Sequence, residues 1–396
     1  MQRASEPRVD PPGRSDRTIG RLDAATASRS RRPTLNRPAR GVTARTNGRA
    51  AEEIPSRSFF ALTVPGLGSF LEAEVRRTPG TRSISQGNDG RADVLIFRSS
   101  LDPSTLLSTL HAAEDLFVQV GHASIQREDR PPWLAQRLFK RHRLLDAVKT
   151  IQLRGQRRRV FRVAIRVLSE RLFLRTELRR AATRVLGTLL PDWRVDENAG
   201  LEIWVIEYLP GKFVAGARLS DNVYRQRGGR RVERPGALRP AVARAMVELA
   251  GTPHGWLLDP FCGAGSILAS AAAFGWQPVG SDIASDAVLA AASNVDAVPI
   301  LRADARRIPI KSHSFAAIVS NLPFGKQYDL PGDAYGWLVT VLQECDRVLA
   351  SRASAVFLTG SSIKSALRTT FLQATDARSI RLLGQPAVLT VCRRCR

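Results

Sequence analysis

The unbroken apolar run Phe59-Phe60-Ala61-Leu62-Thr63-Val64 predicts a strand, closed by the turn residues Pro65-Gly66-Leu67-Gly68. Leu71, Ala73 and Val75, set among Glu72, Glu74, Arg76 and Arg77, predict a short helix that stops at Pro79-Gly80. A weaker strand follows near Ser83 to Gln86, and the turn Asn88-Asp89-Gly90 leads into the strand Asp93-Val94-Leu95-Ile96-Phe97. Leu101 to His111 predicts a helix with Asp102-Pro103 in its first turn, and Leu116 to Val120 a closing strand. The order βαββαβ over 54–125 is that of a ferredoxin-like unit, a fold that hosts many functions and identifies none.

Downstream, Val160 to Val167 alternates. Arg162 and Arg166 project from one face of that strand, while Val163, Ile165 and Val167 line the other. A helix around Thr176 to Leu190 and strands near Leu201–Ile206 and Phe213–Ala217 complete a second α+β unit over 126–220. Residues 221–235, with Tyr224-Arg225-Gln226-Arg227-Gly228-Gly229-Arg230-Arg231, lack apolar periodicity and read as a linker. Arg239-Pro240 opens an Ala-rich helix to about Leu249, and strand–helix alternation follows, so 236–396 is expected as an α/β domain. Residues 1–53 carry 12 Arg and 6 acidic residues with few large apolar side chains, and are expected as a disordered basic tail.

Charge sharpens this division. The chain has 60 Lys and Arg against 36 Asp and Glu, a net +24. Residues 127–184 hold 18 basic and 5 acidic residues (net +13), whereas 252–396 hold 14 and 10 (net +4). Attraction for a polyanion is therefore concentrated upstream of the last domain. Candidate phosphate contacts are Arg154, Arg157, Arg158, Arg159, Arg162 and Arg166, with Arg225, Arg227, Arg230 and Arg231 in the linker. No run of about 18 uncharged apolar residues is present, which excludes a membrane-spanning helix of that kind. Four cysteines make no disulfide framework, and Cys392 and Cys395 lack the second pair or histidines of a zinc site, so no metal is expected. The N-terminal stretch has no apolar signal core, and Asp10, Asp16 and Asp23 with its prolines argue against an organellar leader, so the cytoplasm is the expected location.

The candidate chemistry lies between 256 and 330. Trp256-Leu257-Leu258 ends in Asp259, then Pro260-Phe261-Cys262-Gly263-Ala264-Gly265 turns into the small-residue stretch Ser266 to Ala273. Glycines in such a strand–turn–helix unit let a ligand approach the backbone, and the acid at the strand end suits a ligand offering hydroxyls or an amine. Asp282, at the tip of the next strand, is placed to accept from two ribose hydroxyls. Asp304, in Leu301-Arg302-Ala303-Asp304-Ala305, is a candidate acceptor for an adenine amino group. Finally, Phe315 to Ser320 runs into Asn321-Leu322-Pro323-Phe324-Gly325-Lys326. The Asn321 side-chain oxygen and a carbonyl of Leu322 or Pro323 can accept from one flat NH₂ group, with Phe324 as a stacking face.

These four motifs in this order resemble the class I S-adenosylmethionine-dependent methyltransferases with an Asn/Asp-Pro-Pro-Tyr-type motif. The wording Asn-Leu-Pro-Phe-Gly-Lys is closest to the THUMP-domain RNA guanine-N2 methyltransferases, and Phe213 to Ser220, Tyr224-Arg225 and Gly236 to Pro240 match that family's lead-in. The resemblance implies an α/β fold: a C-terminal Rossmann-like methyltransferase domain preceded by ferredoxin-like and THUMP-like α+β modules. It implies that Asp259, Cys262, Gly263 and Gly265 line the methionine and ribose part of S-adenosylmethionine. Asp282 would hold the ribose, Asp304 with Ala305 the adenine, and Leu238 with Arg239 would close over the cofactor. Asn321, Leu322 and Pro323 would hold the target amine and Phe324 the base, in transfer RNA acted on by a monomer. N2-guanine methylation of ribosomal or another RNA, N6-adenine methylation of nucleic acid, N5-glutamine methylation of protein, and an RNA-binding protein with a degenerate methyltransferase domain are the competing readings.

Overall fold

The computed structural model describes residues 56–395 apart from 127–128, 156–157, 169–172, 226–230, 233, 235 and 324–332. The tail over 1–53, Arg157, Arg227, Arg230, Phe324 and the side chain of Arg225 therefore lie outside the described residues.

The front half begins with β1 (Arg57–Thr63), α1 (Gly68–Arg77), β2 (Thr81–Asn88), β3 (Asp93–Ser99), α2 (Pro103–Thr109) and β4 (Asp115–Ser124). Their spatial order β2-β3-β1-β4 is the ferredoxin-like arrangement expected. Asp102 caps α2 by accepting the Ser104 and Thr105 amides, and Pro103 at the first helical position costs no hydrogen bond. Next come α3 (Pro131–Leu138), α4 (Arg141–Leu153), β5 (Val160–Arg166), α5 (Arg175–Leu189), β6 (Arg194–Val195), β7 (Leu201–Leu209) and β8 (Lys212–Arg218). The two units share one eight-stranded sheet, because β4 pairs antiparallel with β8. Phe59, Phe97 and Leu116 consequently lie in the same core as Leu134, Leu178 and Phe213. The opposite face of the sheet buries Phe60, Phe117, Ile206 and Tyr208, with the Phe60 and Phe117 rings stacked at 4.4 Å. Gly87 on β2 meets Tyr208 on β7 so closely that a Cβ there would lie 2.1 Å from the Tyr208 carbonyl oxygen. The twisted sheet thus rolls its first hairpin toward β5 and β7, which sets Asp89 2.9 Å from Arg166.

After α6 (Asn222–Arg225), the second half comprises α7 (Pro240–Leu249), β9 (Trp256–Asp259), α8 (Ser266–Phe274), β10 (Gln277–Asp282), α9 (Ser285–Asn294), β11 (Ile300–Arg302), β12 (Phe315–Asn321) and α10 (Ala334–Val348). It closes with β13 (Leu349–Thr359), α11 (Lys364–Leu367), β14 (Leu372–Leu382) and β15 (Gln385–Arg394). The sheet order is β11-β10-β9-β12-β13-β15-β14, parallel except that β15 runs antiparallel to both its neighbours. Strand order reverses between β9 and β12, and in open α/β sheets the crevice at that reversal, outside the carboxyl ends of the strands, is where ligands bind. Asp259 ends β9 and Asn321 ends β12.

The halves are docked through apolar packing. Val64 and Leu67 belong to the core that holds Met246, Ile380 and Leu389. The Arg381 amide donates to the Pro65 carbonyl at 3.1 Å, and ion pairs Arg77–Glu248 and Arg239–Glu114 flank the seam. Cys392 is buried within β15 and Cys395 is exposed at its end. No helix among the described residues is long and apolar enough to cross a membrane.

Candidate active site

A cavity of about 260 Å³ opens at the strand-order reversal, lined among others by Asp259, Cys262, Gly263, Asp282, Asn321 and Pro323. The turn after β9 forms its floor. Gly263 and Gly265 take positive φ (52° and 83°), and the Gly265 amide donates to the Cys262 carbonyl at 2.7 Å, closing the turn into α8. A Cβ on Gly265 would lie 2.8 Å from Val295 Cγ2, whereas one on Gly263 would meet nothing within 4 Å. Gly265 is therefore required by packing, and Gly263 leaves an open approach to the backbone. Gly280 has a role the sequence pattern did not disclose: a Cβ there would lie 2.6 Å from Leu268 Cδ1, so its absence lets α8 pack onto β10.

Asp282 locks the turn to the next strand. One carboxylate oxygen accepts the Gly263 amide and the other the Ala284 amide, each at 3.0 Å. Asp259 is buried, and its Oδ1 accepts the Ser320 hydroxyl at 2.7 Å and the Phe261 amide at 3.2 Å. Burial, helped by the nearby Asp282 charge, pushes the Asp259 carboxyl up to about 7 against these hydrogen bonds. Burial also raises the Cys262 thiol, so this cysteine lines the cavity as an unreactive small apolar group. The sign of the Asp259 effect follows from linkage. Between the ordinary carboxyl value and about 7 the folded chain holds a proton that the unfolded chain has released, so stability falls as pH rises through that window and levels off above it. Asp259→Asn keeps an Oδ1 acceptor and removes the buried charge, and its melting temperature is expected to exceed the native one by more at pH 8 than at pH 5. An advantage independent of pH would contradict the assignment.

Asn321 completes the floor. Leu322 is buried, its amide donating to the Leu358 carbonyl at 3.0 Å, and this fixes the strand end while Pro323 faces the cavity. The Asn321 Oδ1 atom is buried and accepts no hydrogen bond among the described residues.

Several expected contributors stand elsewhere. Ala305 is buried in the core beneath β12. The Asp304 carboxylate is engaged by Arg306 at 2.7 Å, which holds it below the usual carboxylate range, and it does not line the cavity. Leu238 lines the cavity, but Arg239 reaches Glu114 at 2.8 Å and borders a second cavity of about 520 Å³ with Arg166, Trp204 and Tyr224. Of the arginines expected to meet phosphate, Arg162 and Arg166 are half-buried and paired with Glu202 at 2.7 Å and Asp89 at 2.9 Å, whereas Arg159, Arg158 and Arg231 lie on the surface in looser pairs with Asp192, Asp196 and Asp296. Arg154 ends α4 and donates to the Ser104 hydroxyl. Three cavity residues had no local signal: Arg234, Ile283 and Trp337, the last tilted against Phe261 at 5.7 Å. Only the folded chain brings α10 and the linker to the strand ends.

Comparison with known proteins bears on the same stretch. Residues 227–385 match the family UPF0020, RMKL-like, methyltransferase domain. The U6 snRNA (guanine-N(2))-methyltransferase THUMPD2 of Homo sapiens is 32% identical over 181 residues, covering 42% of this chain and 33% of its own length. The tRNA (guanine(10)-N2)-dimethyltransferase of Methanothermobacter thermautotrophicus is 35% identical over 105 residues, 25% of this chain and 31% of its own. The chain thus spans about a third of the length of these relatives. Among solved structures, TrmN from Thermus thermophilus superposes with a TM-score of 0.69 at 22% identity, over 86% of this chain and 100% of that one. That coverage takes in the front half, so the seven-stranded sheet and the eight-stranded sheet before it recur together as a fold.

Proposed function

We propose that the chain transfers a methyl group from S-adenosylmethionine to the exocyclic N2 of a guanosine in RNA, with transfer RNA as the substrate. The observation that carries this reading is the orphaned Oδ1 of Asn321, a buried amide oxygen on the cavity floor. Leaving such an acceptor unsatisfied costs about 1–3 kcal/mol, which a donor from a ligand removes. The cavity also fits the cofactor: Gly263 leaves the backbone open, Asp282 would hold the ribose, and Asp259 would meet the positive end of the amino acid. When bound, S-adenosylmethionine supplies a methyl carbon on a positively charged sulfur.

The protein's part is positioning. Guanine N2 is a weak nucleophile because its lone pair is delocalised into the ring. Asn321 Oδ1 and the carbonyl of Leu322 or Pro323 accept its two N–H bonds, which raises electron density on nitrogen and aims it. Phe261 and Trp337 offer aromatic surfaces beside Asn321 for the base. Placement and electrostatics of this sort supply most of the rate in such a transfer. A flat NH₂ on adenine or on a glutamine amide would satisfy the same acceptors. The names of the relatives support guanine N2 instead: one acts on U6 snRNA and one on tRNA, so the acceptor atom is shared while the RNA differs.

The RNA is best placed on the exposed basic face of α3 and α4. Arg137, Lys140, Arg141, Arg143 and Lys149 are exposed there and have no acidic partner among the described residues, and Arg137 stacks over the exposed Trp133 ring at 4.5 Å. Positive charge in the first turn of a helix is unfavourable by about 0.3–1 kcal/mol per charge, a cost that an RNA phosphate offsets. Arg141→Ala/Arg143→Ala is expected to reduce the slope of log affinity for tRNA against log salt by about 2, whereas Arg162→Ala, whose charge is already paired, is expected to change it little. Equal slopes for the double variant and the native chain would remove this face from the interface. For the activity itself, methyl label from the cofactor is expected to enter tRNA. Label confined to protein glutamine would contradict the proposal.

A further inference from the structure

Among the described residues, the cavity lining contains two acids and one cation, Arg234, which lies in the linker ahead of the methyltransferase domain. The linker is held in place by Asn294 of α9. Its Oδ1 accepts the Arg231 and Val232 amides at 2.7 and 2.9 Å, and its Nδ2 donates to the carbonyls of Val232 and Ala264 at 2.8 and 2.9 Å. One side chain therefore ties the linker to the glycine turn, and Arg234 is presented to the cavity from a fixed wall. One end of its guanidinium is satisfied: Nη2 lies 3.1 Å from Asp286 on the exposed surface of α9. The other end is not. Nη1 is buried and has no hydrogen-bond partner among the described residues.

A buried, charged donor without an acceptor is among the costlier defects a folded chain can carry. Here it stands in a cavity whose other charge-bearing side chains among the described residues are the carboxyls of Asp259 and Asp282. S-adenosylmethionine carries two positive groups, a diol and a single negative group, the α-carboxylate of its amino-acid end. The carboxyls answer the positive groups and the diol, which leaves the ligand's one anion and, in the wall, a guanidinium whose Nη1 has no hydrogen-bond partner among the described residues.

We infer that Arg234 Nη1 binds the α-carboxylate of the cofactor, making Arg234 a cofactor-binding residue supplied by the linker. This rests on the reading of the cavity as an S-adenosylmethionine site. Arginine suits the role because its planar fork keeps the Asp286 pair on one nitrogen while the other meets the carboxylate. The linker is then part of the cofactor site as well as a connector.

The test uses the full-length chain and two ligands by calorimetry: S-adenosylhomocysteine, which has the amino-acid end, and 5′-methylthioadenosine, which lacks it. Arg234→Gln is expected to weaken S-adenosylhomocysteine about 10- to 100-fold, the range for a lost charge-assisted hydrogen bond. The same variant is expected to bind methylthioadenosine as the native chain does, which also shows that the nucleoside part of the site is folded. Arg234→Lys, retaining the charge without the fork, is expected to fall between. Equal weakening of both ligands would overturn the inference and make Arg234 a structural strut. Unchanged affinity for both, with poorer use of RNA, would overturn it in favour of an RNA contact. Failure of the native chain to bind S-adenosylhomocysteine would instead overturn the cofactor reading beneath it.

Discussion

Replacing Asn321 by alanine is expected to lower methyl transfer by about 100-fold or more while leaving cofactor affinity nearly intact. The split follows from geometry. The Asn321 side chain ends β12 at the cavity, and its Oδ1 makes no hydrogen bond among the described residues, so none of their packing depends on one. Losing one positioned polar group in a transition state costs about 2.7–4 kcal/mol, and the loss should appear in kcat more than in KM. Asn321→Asp is the informative companion, since it keeps an acceptor and adds charge. Turnover for the aspartate variant well above that of alanine is the expected order. A variant with alanine at 321 that lost cofactor binding and turnover together would place Asn321 in the cofactor site and remove it from the target amine.

The second large effect is expected at Asp282. Its carboxylate braces the glycine turn through the Gly263 and Ala284 amides and keeps further lone pairs for the ribose proposed to bind there. Asp282→Ala removes a charged hydrogen-bond acceptor, worth about 1.5–3 kcal/mol, and frees Gly263 from its anchor. Binding of S-adenosylhomocysteine by calorimetry should weaken about tenfold or more, with methylthioadenosine weakened alongside it, because both carry the ribose. Asp282 and Arg234 are thereby distinguishable: the first variant penalises both ligands and the second only the one with a carboxylate. Native affinity for both ligands in Asp282→Ala would remove the ribose assignment.

Much of the catalytic half was legible because its signals are local. The helix opened by Arg239-Pro240, the helix Ser285–Asn294 and the strand Phe315–Asn321 all fall where apolar patterning and turn residues place them. The ferredoxin-like order was readable for the same reason. Two things were not. The first is long-range pairing: no local pattern reveals that β4 joins β8, about 90 residues on, which makes one sheet of two units. The second is what becomes of a charge in the fold. The density of arginine around 154–166 pointed to phosphate contacts, yet acids brought in from β7 and from the 88–90 turn claim Arg162 and Arg166. Helices α3 and α4 were overlooked within that same charged stretch, although Leu134, Ala135 and Leu138, then Leu144, Ala147, Val148 and Ile151, follow helical spacing and are buried. Within the site, Asp259, Gly263, Gly265, Asp282 and Asn321 announced themselves through strand–turn–helix spacing. Arg234 and Trp337 enter the cavity from the linker and from α10, and neither carries a motif of its own.

The central claim is the acceptor atom. Its most direct measurement is the digestion of tRNA, after reaction with the full-length chain and methyl-labelled S-adenosylmethionine, to nucleosides resolved by mass spectrometry. The account predicts label in N2-methylguanosine, lost on Asn321→Ala. Label appearing only in N6-methyladenosine would contradict it.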